Sequence, residues 1–174
     1  MIMDFARMTA IVFTCALLSC RPAPSPAAGP QQRTILLYSA GAPAFQFVAP
    51  AGYRIKASMG PDFTVHRLLP AAASDQEEEV LGVYVGNYPG LLRSQRRDNS
   101  TVSTVPGTVA GRAVTWSCWQ DAPKRLVCET TTTGLVAEMH ESVRTILHLW
   151  VRAGSDREAA TYRRFAATQI VPVR

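Results

Sequence analysis

Apolar and polar positions alternate in short runs from Phe45 onward, with the two-residue period of strands half-buried in a sheet. Phe45-Gln46-Phe47-Val48 and Tyr53-Arg54-Ile55 flank Pro50-Ala51-Gly52, which predicts a strand, a turn and a second extended piece. Phe63 to Leu69 predicts another strand, stopped by Pro70. Ala71 to Glu79 reads as a loop or frayed helical turn, with Glu77-Glu78-Glu79 on a solvated face. Val80-Leu81-Gly82-Val83-Tyr84-Val85-Gly86 is apolar on both alternating sets, so neither face can be left to water and the strand is central. Asn87-Tyr88-Pro89-Gly90 is a turn, and Leu91 to Arg97 suits a short helix. Thr101 to Val109, interrupted by Pro106-Gly107, suits an edge strand with a bend.

Val114 to Gln120 and Arg125 to Thr131 predict a hairpin. If Asp121 pairs with Arg125, Cys118 falls directly opposite Cys128 and Trp116 opposite Thr130. A slip of one residue would send the two sulfurs to opposite faces, so the pleat and a disulfide select the same register. In that register Val114, Trp116, Cys118, Leu126 and Cys128 share a core face, while Ser117, Arg125 and Glu129 share the other. Leu135 to Met139 and Val143 to Arg152 predict two more strands. In the second, Leu147, Leu149 and Val151 point one way and Ile146, His148 and Trp150 the other, so something must cover the second face. The candidate is the segment after Gly154, where Ser155 and Glu158 form a capping box. There Ala159, Tyr162, Phe165, Ala166 and Gln169 recur at helical spacing, with Arg157, Arg163 and Arg164 on the wet side.

These elements predict an α+β domain, an antiparallel sheet of about six or seven strands with a C-terminal helix packed on one face. The order of cues resembles the PsbP-like sandwich: Phe47-Val48-Ala49-Pro50-Ala51-Gly52-Tyr53 opening the domain, a glycine-flanked central strand, a hairpin, and a last strand running into a helix. The resemblance spans roughly Phe45 to Ile170 and implies an accessory or adaptor domain that is not usually catalytic; no functional residues carry over. The alternative is a lipocalin-like β-barrel with a C-terminal helix, against which the doubly apolar central strands count.

Ahead of the domain, Ala10 to Leu18 is apolar but only about half the ~20 residues a membrane-spanning helix needs, as in the core of a secretory signal. Leu17-Leu18-Ser19-Cys20 resembles a bacterial lipobox, which implies cleavage before Cys20 and acylation of its sulfur. An ordinary secretory signal cut near Ala27-Ala28 is the alternative. The chain then divides into a signal over 1–19, a lipidated Pro/Ala-rich tether over 20–44 and one globular domain over 45–174. Export also fits the cysteines. Cys15 leaves with the signal, Cys20 takes lipid, and Cys118 and Cys128 remain as a pair where disulfides persist. Arg21 after the lipid cysteine, in place of an aspartate, resembles lipoproteins passed on to an outer membrane.

Charge changes this picture little. The net +5 is mostly scattered arginine, a solvated exterior, and neither the compartment nor any basic-aromatic module suits nucleic acid. Nucleophile elbows, Ser-x-x-Lys and phosphate-cradling glycine motifs are missing from the sequence, so no catalytic residue, cofactor or metal is assigned. Glu138 and His140 could share one side of an extended segment as a metal pair, but such short acid-histidine combinations are frequent and no spacing suggests a third ligand, so a solvated strand end is the preferred reading. His66 and His148 read as core histidines. Tyr84, Trp116 and Trp150 read as core, whereas Trp119 should project from the polar face of the hairpin as the candidate partner contact. The expectation is a non-enzymatic lipoprotein facing the periplasm that binds another envelope protein or polymer. A small-molecule or lipid binding module, using the gap between sheet and helix, is the alternative. A hydrolase depending on His140 is a third.

Overall fold

In the computed structural model, which describes residues 32–39, 42–96, 101–133 and 146–172, the alternating segments pair into two antiparallel sheets. The strands are β1 (Arg33–Ser39), β2 (Ala42–Val48), β3 (Tyr53–Met59), β4 (Phe63–Pro70), β5 (Leu81–Gly86), β6 (Ser103–Val109), β7 (Arg112–Ala122), β8 (Arg125–Thr133), β9 (Ile146–Ala153) and β10 (Ile170–Pro172). A 3-10 helix over Leu92–Gln95 follows β5, and α1 (Asp156–Gln169) follows β9. The main sheet runs β3-β4-β5-β9-β8-β7-β6, and the smaller one β1-β2-β10.

The sheet is open, which overturns the lipocalin-like alternative, and both of its edges are blunted. On β6, Pro106 lacks the N–H that a further strand would need. On β3, the Gln32 side chain acts as a one-residue neighbour: its Oε1 accepts from Ile55 N at 2.6 Å and its Nε2 donates to Ile55 O at 2.8 Å.

Opposed residues of a ladder share a face, so the pairings sort the core. Leu81, Val83, Leu147, Leu149, Val151, Cys118, Cys128 and Trp116 lie on the inner face, where they are buried together with Ala159 and Ala166 of α1. The small α1 residues let the helix approach, and Phe165 packs edge-on to Tyr53 at 5.3 Å between ring centroids. Ser155 caps the helix, accepting from Glu158 N at 3.3 Å, while Glu158 reaches back to Gly154 N at 2.7 Å.

Several expectations need correction. Arg33–Ser39 and Ala42–Val48 are strands, so folded structure begins ahead of the Phe45 boundary and takes in part of the segment read as tether. α1 runs directly into β10, with Ile170 opposite Phe47. In the hairpin, Ala122 rather than Asp121 pairs with Arg125. The extra residue is a bulge beyond the Gln120–Leu126 pair, which leaves Cys118 opposite Cys128 as expected. Glu79, placed on a solvated face, is buried and accepts from Trp150 Nε1 at 2.6 Å. The expected strand over Leu135 to Met139 lies outside the described residues.

Candidate functional site

The outer face of the main sheet, opposite α1, carries the unusual chemistry. Glu129 on β8 and His148 on β9 both point there and are almost fully buried, with Glu129 Oε2 3.0 Å from His148 Nε2. They meet because β8 and β9 are adjacent, with Thr131 opposite His148 and Glu129 opposite Trp150. Glu129 also accepts from two backbone amides of the 3-10 helix, Leu92 N at 2.8 Å and Arg93 N at 3.1 Å, and the Arg93 guanidinium lies 3.6 Å away.

Burial alone would push the Glu129 carboxyl up. The hydrogen bonds from His148, Arg93 N and Leu92 N, together with the His148 charge, outweigh it and hold the group below the ordinary carboxylate value. A carboxylate so surrounded has little acceptor capacity left for a substrate. Its physical effect is to pin Leu92 and Arg93 to the sheet, capping two donors that a helix start leaves without intrahelical partners.

The pinned segment changes the fate of Trp119. Expected to project into solvent, it is 3% exposed, in a region covered by the 3-10 helix and by Arg96, whose guanidinium sits 5.5 Å from the ring centroid. Its Nε1 has no hydrogen-bond partner. Two clefts flank the helix. One, of about 210 Å³, is walled by Gln95, Arg96, Trp119, Asp121 and Arg152 among others. The other, also about 210 Å³, is lined by Arg93, Thr115, Ser117, Glu129 and Thr131 among others.

Further along this face, Phe63 stacks on Tyr84 at 5.6 Å, and Tyr88 N donates to Tyr84 Oη at 3.1 Å. Tyr88 itself and Met59 are each 83% exposed, so the most exposed large apolar side chains lie at this end of the sheet and not at the hairpin. His66 is buried as expected, but both ring nitrogens lack partners, and burial pushes it down to about 4, which keeps it neutral.

On the inner face the Cys118–Cys128 disulfide is formed. Arg163, expected on the wet side of α1, leans over it with Nη1 3.4 Å from Cys118 Sγ. Cys20, Glu138 and His140 lie outside the described residues. Among the described residues no group of three His, Cys, Asp or Glu side chains could hold a metal ion, and no helix is long and apolar enough to cross a membrane. The Glu129–His148 pair is not legible in the sequence, because β8 and β9 are separated by 134–145, where no turn motif specifies a pairing. Comparison of the chain with protein-family models, characterised proteins and solved structures finds no match.

Proposed function

We propose that this chain is an exported, lipid-anchored envelope protein whose domain binds another envelope component and performs no chemistry of its own. The observation that carries the binding half is Glu129. The buried carboxylate that could have served a reaction is committed to holding Leu92 and Arg93 against the sheet, where it shapes a surface with a cleft on either side. The Cys118–Cys128 bridge supports an oxidising compartment. The lipobox at Leu17 to Cys20 supports acylation. Within this proposal the domain is a PsbP-like sandwich, a reading supported by the open antiparallel sheet and the helix that closes the chain. The rival module, with a ligand between sheet and helix, is less favoured because Trp116, Phe47, Leu68 and Leu149 fill the core on that side.

The test of anchoring is Cys20→Ala. The native protein should partition into detergent and carry a mass increase at its N-terminus, whereas the variant should leave the membrane for the soluble periplasmic fraction. An unacylated native protein in the cytosolic fraction would overturn the proposal.

A further inference from the structure

The end of the main sheet where β3 turns into β4 and β5 finishes is an apolar tip. Met59 and Tyr88 are the most exposed large apolar side chains among the described residues, and Phe63 beside them is exposed as well. One run of contacts joins them. Met59 pairs with Thr64, the neighbour of Phe63, Phe63 stacks on Tyr84, and Tyr84 Oη accepts from Tyr88 N. The backbone donors of the tip are largely spent. Gly60 N donates to Phe63 O at 2.9 Å, Tyr88 N to Tyr84 Oη at 3.1 Å, and Pro61 and Pro89 carry no N–H. A tip so arranged gives up little hydrogen bonding when water leaves it.

Its apolar groups stand on both sides of the sheet. Ladder pairing puts Met59 with Thr64 and Val85 on the inner face, and Phe63 with Gly86 and Tyr84 on the outer one. A folded partner packs against one face, whereas a fluid apolar medium surrounds a tip and covers both. Tyrosine suits the boundary of such a medium, with its ring among acyl chains and its hydroxyl in the headgroups. Asp62 lies in the same turn, and the cost of burying its carboxylate holds the tip at headgroup depth.

The chain ahead of the domain ends beside this tip. Gln32 is bonded to Ile55 of β3, and Met59 lies further along the same strand, about 13 Å away at the rise of a strand. Residues 20–31 extend at most about 40 Å from a lipid on Cys20. Confinement within that radius raises the local concentration enough for a contact of two or three side chains to be populated. We propose that Met59, Phe63 and Tyr88 enter the interface of the membrane that holds the Cys20 lipid. The proposal rests on the anchoring put forward above, and it sets the main sheet on end over the bilayer with the β3–β4 turn downward.

Met1, Met3 and Met8 leave with the signal, so carbon-13 methyl labelling of the mature protein reports Met59 and Met139, and the signal lost in Met59→Leu is that of Met59. In phosphatidylcholine nanodiscs carrying the acylated protein, a nitroxide near the headgroup end of the acyl chains should broaden the Met59 methyl. An aqueous gadolinium chelate should relax it roughly tenfold less than in Cys20→Ala protein free in solution. Tyr88→Ser should restore most of the gadolinium effect while leaving the urea midpoint unchanged, because Tyr88 is exposed. A Met59 methyl as open to gadolinium on the discs as in solution overturns the proposal and leaves the anchoring standing. A methyl shielded from gadolinium but untouched by the nitroxide assigns the tip to a protein surface and overturns it as well. A native protein whose mass shows no acyl chain removes the anchoring and this contact together.

Discussion

His66 and Glu129 are both buried and titratable, and their surroundings drive stability in related but separable ways. Glu129 gains partners, so its folded carboxyl lies below its ordinary value. The stability this supplies is complete at neutral pH and is lost as pH falls through the depressed folded value. His66 gains none. The unfolded chain takes up a proton near pH 6.5 while the folded one resists until about 4, so stability drains between those two values. The full loss is about 3 kcal/mol from the protonation term. His66→Leu should remove that term. In urea titrations, the variant's midpoint relative to the native protein's should rise from pH 7 to pH 4, and a constant difference would contradict a neutral buried imidazole. The burial of His66 was legible from its apolar neighbours, but its lack of partners was not, since that depends on what the rest of the sheet places around the ring.

At the scale of elements, β5 shows how a sequence feature acquires its reason only from packing. Gly82 sits opposite Trp150, and a Cβ there would come within 2.1 Å of the indole Cε2. The glycine opens a slot in which the indole lies flat enough to reach Glu79. Gly82→Ala should therefore destabilise the domain by about 1–3 kcal/mol, with a further loss if the indole bond to Glu79 breaks. Gly82→Ala combined with Trp150→Phe should recover part of it, and strictly additive losses in urea unfolding would exclude the close approach as the cause. The glycine-flanked run was legible as a central strand because both alternating sets are apolar. The bulge at Asp121 was not, since it costs one residue in one strand and leaves the hydrophobic pattern intact. β1 escaped notice because its partner in the small sheet, β2, is the segment just before the turn at Pro50, so only its pairing marks it as folded.

For the whole molecule, the Cys118–Cys128 bridge ties together adjacent strands in the half of the sheet that carries the Trp119 cleft on its opposite face. With a sequence separation of 10, its closure stabilises by roughly 3 kcal/mol on a chain-entropy argument. Adding a thiol reductant should lower the calorimetric unfolding temperature while leaving the far-ultraviolet circular dichroism at room temperature unchanged. An unfolding temperature indifferent to reductant would remove the bridge, and with it the structural support for an oxidising compartment.

Local periodicity alone determined that this chain carries an antiparallel sheet with a terminal helix, and the pleat together with two cysteines determined one hairpin register. These properties follow from neighbours along the chain, where a period of two or a matched pair of sulfurs leaves a direct trace. Tertiary structure alone decided that Glu129 meets His148, that the 3-10 helix is pinned to the outer face, and that Trp119 is buried beside a cleft. Those outcomes depend on which strands become neighbours across long connections and on what then covers the exposed face, and no spacing within a single segment encodes either.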